Sequence, residues 1–542
     1  MIKSRPIYKE LTLPDQAKFL RVIGLFGLTM IGLGSMIGSG WLFGSFFAAQ
    51  LAGPAAIFAW IIGGAAAMLV ALTLSELGAA LPKAGGTVRY LDYSHGGLAS
   101  CIGAWSNWLG LISSVPSEAE ASIQYMSSWK WAWAQNLYDI HTHSLTHTGL
   151  IGSSILLLFY FFVNYWSLQF FVRFVSMITL FKIIVPILTA VALLYTGFHP
   201  DNFTSAGHSF MPYGWTSVVT AVVTCGIVFS FNGFQSPINM AAEAKRPGIN
   251  IPLSAILGIL LALVIYILLQ TAFIGAVPSD MLAKAGWHGI EFHSPLAELA
   301  IIFQLNFIAM LLYIDSFVSP SGTGVIYMAG TARMLYGMQR NKYLPDFIGM
   351  LHPKYHLPRN ALIVNLIVAF VFMFCFSGWA HIVAVVSVAN IIGYIPWPIA
   401  LGGLRRVAPD LPRIFKLKWA DGISALVFVI ISLLLFWARW PLTGQMFLLL
   451  LLGFVIYFYY QYKQGWPQFQ QQLKAAWWIF AYLIGLTLIS WLGAAEFGGL
   501  GYLSPLASHV VVIVFAIVIY FWAVRSAWRT PAIDKAIASV VG

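Results

Sequence analysis

The chain has 542 residues, of which 60% are hydrophobic and 9% are charged, and its formal net charge is +11. An ordinary soluble domain carries about 25% charged residues, so this composition excludes such a domain and indicates a polytopic membrane protein with the lipid bilayer as a partner. The positive charge does not indicate nucleic-acid binding, because the basic residues are spread over short loops rather than gathered on one face.

Fourteen apolar segments are long enough to cross a bilayer as helices, which takes about 18 residues or more. They lie near 23–50, 54–80, 98–127, 149–166, 175–197, 214–242, 251–276, 299–328, 361–378, 379–404, 422–440, 443–462, 475–495 and 506–527. The three cysteines, Cys101, Cys225 and Cys375, all lie in these segments. Neither a disulfide framework nor a zinc site is therefore predicted.

Lysine and arginine favour the cytoplasmic connections of membrane proteins. With the N-terminus in the cytoplasm, the 29 basic residues fall on the inner side except Lys130, Lys284 and Arg439, which lie outside, and Lys182, which lies within a span. The sequence therefore predicts that both termini are cytoplasmic.

The first span is interrupted by glycines. Residues 31–44, IGLGSMIGSGWLFG, carry glycine at five positions. Glycine costs roughly 1 kcal/mol relative to alanine in a helix interior, which favours a local break. Freed backbone groups are tolerated at membrane depth only where they line a cavity or coordinate something. We therefore expect this stretch to bind a substrate.

The sixth span shows the same behaviour, because FSFNGFQSP at 229–237 interrupts its helical pattern. Interrupted spans at matching positions are typical of two inverted-topology halves, with the binding site where they meet. The predicted fold is thus all-α, with a 5+5 inverted-repeat core, discontinuous helices 1 and 6, and four accessory helices.

The predicted organisation follows from this repeat. It comprises a cytoplasmic segment at 1–22, a first repeat at 23–197, an extracytoplasmic loop at 198–213, a second repeat at 214–404, and accessory spans with a cytoplasmic tail at 405–542. The last four spans carry fewer polar groups than the first ten, and we interpret them as a scaffold or an oligomer surface.

Ionisable side chains inside the spans are costly in lipid and indicate function. Glu118 and Glu120 lie two residues apart in span three, on different helix faces, so at most one is expected to point into the bundle; Glu118 is favoured, with a structural or outer-mouth role as the alternative. Lys182 in span five is interpreted as a functional ammonium rather than a snorkelling one. Asp315 in span eight is a proton carrier, the counter-ion of Lys182, or a structural hydrogen-bonding group. For Glu76, ion pairing or capping is favoured over protonation.

Three histidines, His141, His143 and His147, lie between spans three and four. A metal site needs a further converging ligand or solvent position, and none is identifiable, so an exposed polar loop is predicted. No nucleophile with a base, no metal ligand set and no phosphate loop is evident. The sequence therefore predicts neither an enzyme nor a metal or other cofactor.

Four motifs occur in a particular order: GSMIGSGWLFG in span one, ELGAALPKAGGTVRY after span two, FSFNGF followed by AAEAKRPGINIP in span six, and ARMLYGMQRNKYLPDF after span eight. In this order the sequence resembles the amino acid–polyamine–organocation permeases over nearly the whole chain. RYLDYSHG at 89–96, NYWSLQ at 164–169 and KAAWW at 474–478 look most like the bacterial aspartate–proton symporter branch. The resemblance implies a bacterial inner-membrane protein.

The resemblance also implies a binding mode. Amides of the first break would hold the substrate α-carboxylate at a half-helix N-terminus, carbonyls of both breaks would bind the α-ammonium, and an aromatic ring of span six would act as a lid. The fifth-helix lysine would replace the cation that bridges helices one and eight in sodium-coupled relatives. The implied groups are the amides of Gly38, Ser39 and Gly40, the carbonyls of Met36, Phe229 and Asn232, the rings of Phe231 or Phe234, and Lys182.

Two departures from the family pattern concern the side chain of the substrate. Gln235 stands where some acid-resistance exchangers have glutamate, so that pH-sensing group is absent. No second intramembrane Arg or Lys is present to meet a side-chain carboxylate, and Asn232 and Gln235 are weaker donors than arginine. Aspartate or glutamate as the substrate is therefore favoured by the resemblance, not deduced from the residues.

The predicted function is proton-coupled uptake of an amino acid by alternating access, with protons as the coupling ion. Glu118, Lys182 and Asp315 are the predicted proton-coupling residues. An obligate exchanger of other amino acids or their amines is the alternative. A membrane enzyme or a solute sensor is disfavoured, the latter because no soluble output domain is evident.

Overall fold

A computed structural model of the chain describes residues 23–541 apart from 83–85, 167, 205–208, 242–243, 353–356, 377, 464 and 467, and side chains other than those of 166–177, 452 and 539–541. The predicted cytoplasmic segment 1–22 lies outside the described residues. The regular secondary structure of the described part consists of helices, one short hairpin, in which β1 (Tyr138–Asp139) pairs antiparallel with β2 (Ser144–Leu145), and an isolated β-bridge between Ile23 and Ala244.

The helices follow one another in the order of the predicted spans. In the first half they are α1 (Leu25–Met36), α2 (Gly40–Ala52), α3 (Ala56–Ala80), α4 (Asp92–His95), α5 (Gly97–Met126), α6 (Ala132–Gln135), α7 (His147–Trp166) and α8 (Leu168–Thr196). In the second half they are α9 (Gly214–Thr224), α10 (Ile227–Phe231), α11 (Ser236–Asn239), α12 (Pro247–Ala276), α13 (Ser279–Gly289), α14 (Pro295–Ile302), α15 (Asn306–Arg340), α16 (Arg359–Cys375), α17 (Trp379–Tyr394) and α18 (Pro396–Val407). The accessory part contains α19 (Ala420–Trp437), α20 (Leu442–Lys463), α21 (Phe469–Leu492), α22 (Pro505–Ser526) and α23 (Pro531–Val541).

Nine helical stretches among the described residues are long and apolar enough to cross a membrane by length and composition. Shorter apolar helices include α1, α9 and α16. Each of the fourteen predicted spans contains one helix or the parts of a broken helix. The prediction of an all-α polytopic protein is confirmed.

Helix α5 lies at the centre of the bundle. It packs against α7, α15, α16, α17, α20 and α21, and all of its 30 residues except Gly97, Trp105 and Met126 are buried. Several of its serines donate their hydroxyls to the helix's own carbonyls, as Ser114 does to Gly110. Because protein surrounds α5 on every side, it can carry carboxylates that lipid would exclude.

Both predicted interruptions are confirmed. The first span stops at Met36 and resumes at Gly40, and the sixth is non-helical between Phe231 and Ser236. The sixth span also has a kink that was not predicted, at Gly226, which adopts a left-handed conformation with φ +82°. A Cβ at that position would lie 2.7 Å from the Trp379 ring, so glycine is required there for packing as well as for conformation.

An ion pair joins the end of α3 to the end of α18 and to the connection between α18 and α19. Arg405 Nη2 lies 2.6 Å and Arg413 Nε 3.2 Å from the carboxylate of Glu76 at the end of α3. The amide of Leu417 donates to the same carboxylate at 2.8 Å. The expectation of an ion-pairing role for Glu76 is confirmed. Helices α19, α20 and α21 pack directly on core helices, as a scaffold does.

The polar loop between spans three and four is the β1–β2 hairpin. His141 and His143 are exposed on it. Among the residues that the structure describes, no group of three or more histidine, cysteine or acidic side chains is arranged to hold a metal ion. The three cysteines are free.

Candidate functional site

The two breaks meet through their main chains. Gly233 has φ +116°, and a Cβ there would lie 2.7 Å from the carbonyl carbon of Ser35. Gly40 faces Ser230, whose hydroxyl a Cβ at position 40 would overlap. Glycine is therefore needed at both positions for the two interrupted helices to touch.

Two tyrosines join the breaks. The hydroxyl of Tyr266 on α12 lies 3.0 Å from the Met36 carbonyl oxygen and 2.9 Å from that of Ser230. The hydroxyl of Tyr327 on α15 lies 2.9 Å from the Ser35 carbonyl oxygen and 2.8 Å from that of Asn232. Our sequence analysis missed both residues. The available signal was a phenol in the middle of an apolar span, which must find a hydrogen-bond partner.

Glu118 lies at the N-terminus of α2. The amide of Ser39 donates to Glu118 Oε2 at 2.7 Å, and the glutamate is 1% exposed. Gly38 lies against the carboxylate so closely that a Cβ there would be 3.0 Å from Glu118 Cδ. A helix N-terminus favours an anion. The anion site predicted for the substrate thus holds a carboxylate of the protein itself.

The predicted amides are consequently not all free. The amide of Gly38 donates to the Met36 carbonyl at 2.9 Å, and that of Ser39 donates to Glu118. The expectation that unwinding leaves both groups unpaired was wrong. The Gly38 amide is satisfied by a tight turn back to Met36, and the Ser39 amide is satisfied by Glu118 on the neighbouring helix α5.

The three carbonyls predicted to bind an ammonium group also have partners. Those of Met36 and Asn232 accept from the two tyrosines, and that of Phe229 accepts from the Asn232 amide at 3.0 Å. A carbonyl oxygen has two lone pairs. The carbonyls of Asn232 and Phe229 can therefore each accept a second hydrogen bond from a bound amine, whereas that of Met36 already accepts two, from the Gly38 amide and from Tyr266.

Lys182 bridges three helices. Its ammonium donates to the Gly34 carbonyl at 2.6 Å and to Thr323 Oγ1 at 2.8 Å, which ties α8 to α1 and α15. The residue is 0% exposed, which excludes the snorkelling alternative. These contacts are those that the family resemblance implies for a lysine in this helix.

Asp315 has a different direct partner, Ser319. Both of its oxygens accept from Ser319 Oγ, at 2.9 and 2.8 Å. The ion pairs of the described residues do not include one between Asp315 and Lys182. Of the three predicted roles, the structural hydrogen bond is the one present as a direct contact.

Glu120 points to the opposite side of α5 and is also buried, at 0% exposure. Its Oε2 accepts from the amide of Gly378 at 2.7 Å, immediately before α17. The expectation that at most one of the two glutamates points into the bundle was wrong, because α5 has protein on all sides. Glu120 stabilises the N-terminus of α17 rather than the break.

Aromatic rings cover both ends of the site. Phe229 contacts Trp379 edge-on, with ring centroids 6.2 Å apart, and Phe234 lies 5.5 Å from Tyr394. Phe231 instead packs between α3 and α12, against Trp60 and Tyr266, so its side chain lies behind the break. Our sequence analysis missed Trp379, whose indole donates to Ser39 Oγ at 2.9 Å.

The side chains of the sixth-span break leave one donor free. Asn232 Oδ1 accepts from Gln235 Nε2 at 2.9 Å, and Gln235 Oε1 accepts from the Gly233 amide at 3.1 Å. Asn232 Nδ2 is buried and has no hydrogen-bond partner among the described residues. Such a group is rare in folded proteins and is available to an acceptor on a bound molecule.

All nine predicted binding residues are buried, so the site is shielded from solvent in this structure. They are Met36, Gly38, Ser39, Gly40, Phe229, Phe231, Asn232, Phe234 and Gln235. The structure thus has two helices that are broken at matching positions, contact each other through their main chains and are surrounded by further helices. This arrangement defines a secondary transporter of the broken-helix class.

The chain belongs to the amino acid permease family of the amino acid–polyamine–organocation superfamily, which it matches over residues 23–461. It is therefore a multi-pass amino acid transporter and not an enzyme. The glutamate/serine transporter AimA of Bacillus subtilis (strain 168) is 50% identical over 518 residues, covering 95% of this chain and 96% of that protein. The aspartate-proton symporter of the same strain is 34% identical over 525 residues, covering 96% and 99%.

Proposed function

We propose that this chain is a symporter that moves an acidic amino acid together with a proton into the cytoplasm, where both of its termini lie. The two relatives carry acidic amino acids by name, and one of them is named for protons. The observation that carries the proposal is the 2.7 Å hydrogen bond from the Ser39 amide to the buried Glu118 carboxylate.

Coupling follows from competition for one anion site. The α-carboxylate of a substrate needs the amide that Glu118 occupies, and two carboxylates at one helix N-terminus repel each other. When a proton from the outer solution binds the Glu118 carboxylate, its negative charge is removed and the Ser39 amide is released to the substrate. After the substrate leaves on the inner side, Glu118 gives up the proton and takes the amide back.

Lys182 has a fixed role in this cycle. Its ammonium holds Gly34, at the end of α1, to Thr323 on α15. A cation that joins the broken helix to the surrounding helices does mechanically what a bound metal ion would do. Protons are then the coupling ion, and the cycle requires no metal.

Selectivity for the substrate side chain is assigned to Asn232. Its free Nδ2 can donate to the side-chain carboxylate of aspartate or glutamate, next to the Gln235 amide. The same donor can meet a hydroxyl, so serine is expected as a weaker, neutral substrate. A side-chain amide binds a carboxylate less strongly than arginine does. A site with this donor therefore discriminates less between an acidic amino acid and serine, and accepts both.

The test compares two buried glutamates on one helix in proteoliposomes. In Glu118→Gln, a permanently neutral group stands where the proton would bind. We expect counterflow of labelled glutamate to persist while accumulation driven by a proton gradient falls to the level of empty liposomes. In the matched control, Glu120→Gln, coupling is retained because Glu120 contacts Gly378 and not the break.

Two results would overturn the proposal. One is proton-driven accumulation by Glu118→Gln at the wild-type level. The other is wild-type protein that moves label only when an amino acid is loaded on the opposite side, which would make the chain an obligate exchanger.

A further inference from the structure

A cavity lies away from the breaks, where α5 ends and α15 begins. It has a volume of about 560 Å³ and is lined by residues that include Trp129, Lys130, Met310, Tyr313 and Phe317. This volume is in the range of sites for small organic molecules, which is about 300–1,000 Å³. None of its lining residues belongs to the predicted substrate site. We call it the α15 groove.

The floor of the α15 groove faces lipid. Met310, Tyr313 and Phe317 recur at helical spacing along one side of α15. Met310 is 50% exposed, and its lining neighbour Ile314 is 46% exposed. Apolar side chains at this exposure on a membrane-spanning helix contact hydrocarbon, so the groove opens sideways into the bilayer rather than into the bundle.

The end of the groove is polar. Lys130 is exposed at its rim and has no hydrogen bond or ion pair in the described part of the chain. Trp129 also lines the groove, and its indole Nε1 is shielded from solvent without an acceptor among the described residues. Tryptophan is typical of the membrane interface, at the depth of lipid headgroups. A cation and a buried free donor thus lie side by side at headgroup depth.

We propose that the α15 groove binds one anionic phospholipid. An acyl chain lies along the apolar face of α15, the phosphate accepts from the Lys130 ammonium, and an oxygen of the headgroup or ester accepts from the Trp129 indole. A membrane lipid fits both halves of the groove, because its chain matches the floor and its charge matches the rim. A free amino acid would leave the apolar floor uncovered.

The position of the groove gives the lipid a stabilising effect. It spans the end of α5 and the start of α15, the two helices that carry Glu118 and Tyr327. A molecule that binds the folded protein and not the unfolded chain raises the unfolding temperature. We therefore expect phosphatidylglycerol to stabilise the purified protein more than phosphatidylcholine with the same acyl chains.

The experiment measures lipid retention by native mass spectrometry and the unfolding temperature of the full chain in detergent. Lys130→Gln is expected to weaken phosphatidylglycerol binding about tenfold, the effect of losing roughly 1.4 kcal/mol, and to abolish the difference between the two lipids. Trp129→Phe keeps the ring but removes the donor, and it should weaken binding of both lipids. The matched control is Lys284→Gln, which removes another exposed lysine, on α13, and should behave as wild type.

Equal stabilisation of the wild type by both lipids would overturn the proposal. So would a Lys130→Gln variant that retains phosphatidylglycerol as the wild type does. Displacement of the retained lipid by millimolar glutamate or aspartate would also overturn it, because the groove would then be an amino acid site.

Discussion

Glu118 and Glu120 show how position on one helix determines the role of a side chain. They are two residues apart and equally buried, yet one binds the amide of Ser39 at the break and the other binds that of Gly378 at the start of α17. Sequence patterns identified both as costly in lipid. The direction in which each points depends on the rotation of α5 in the bundle, which composition does not specify.

The ammonium of Lys182 is expected to be essential for coupled transport. Lys182→Ala removes the donor to the Gly34 carbonyl and to Thr323, so the ammonium no longer joins α8 to α1 and α15. Proton-driven accumulation of glutamate in proteoliposomes should fall to background. Thr323→Val removes one of the two acceptors and keeps the ammonium on Gly34, so it should retain part of the activity. Normal accumulation by Lys182→Ala would contradict the role assigned to the lysine.

The tyrosines that join the two breaks can be tested in the same way. Tyr327→Phe removes the hydroxyl that lies between the Ser35 and Asn232 carbonyls, and a lost hydrogen bond costs about 0.5–1.5 kcal/mol. Because the bond joins the two breaks, we expect a raised KM for glutamate as well as a lower unfolding temperature.

A matched control is available in the accessory part. Tyr482→Phe loses a hydroxyl contact to Ser432 at 2.9 Å, far along the chain from the breaks. It should lower the unfolding temperature by a similar amount and leave KM unchanged. A KM shift of equal size in both variants would show that KM rises because the whole protein is less stable, and not because the site is changed.

At the scale of elements, the interrupted helices were predictable because their cause is local. The first break follows from five glycines in residues 31–44, and the second from Gly233 between polar residues and ahead of Pro237, all of which weaken a helix locally. The kink at Gly226 was not predicted, because a single glycine in an apolar run carries too weak a signal; its conformation follows from the close approach of Trp379 on α17. The partners of the breaks, Tyr266, Tyr327 and Trp379, come from distant helices, and one sequence does not specify that register.

The contact between the breaks is tested by a single methyl group. Gly233→Ala forces a Cβ toward the Ser35 main chain at a φ of +116°, where alanine is strained. We expect loss of transport together with a lower unfolding temperature. Gly330→Ala is the control. Gly330 lies in the interior of α15, and a Cβ at this position would have no atom of another helix within 4 Å.

The control variant should be stabilised by about 0.5–1 kcal/mol, the difference in helix propensity, and should transport normally. Wild-type transport by Gly233→Ala would show that the two breaks need not touch during the cycle.

In the whole molecule, the Glu76 ion pair with Arg405 and Arg413 joins α3 to the end of α18 and to the connection that leads into the accessory helices. Removing one partner of a buried pair leaves an uncompensated charge and costs about 3–5 kcal/mol. Glu76→Gln should therefore lower the unfolding temperature more than Asp534→Asn, which removes an exposed partner of Arg529. Equal effects would mean that the accessory helices are held mainly by apolar packing.

The charge carried per cycle is a property of the whole molecule. If Glu118 is the one proton carrier, glutamate, with one net negative charge, crosses with one proton and moves no net charge. Serine, which is neutral, crosses with one proton and moves one positive charge. A membrane potential of 100 mV is worth about 2.3 kcal/mol per charge. An inside-negative potential of that size should therefore raise serine accumulation by about fifty-fold and leave glutamate accumulation unchanged.

The measurement uses proteoliposomes with a potassium diffusion potential and a fixed pH difference. Empty liposomes give the leak of each amino acid, and Glu118→Gln should not accumulate serine in response to the potential, because this neutral amino acid would cross without a proton. Potential-driven accumulation of glutamate by the wild type would require a second proton in each cycle. Asp315, whose buried carboxylate accepts from Ser319, would be its carrier, and competition at the Ser39 amide would account for half of the coupling instead of all of it.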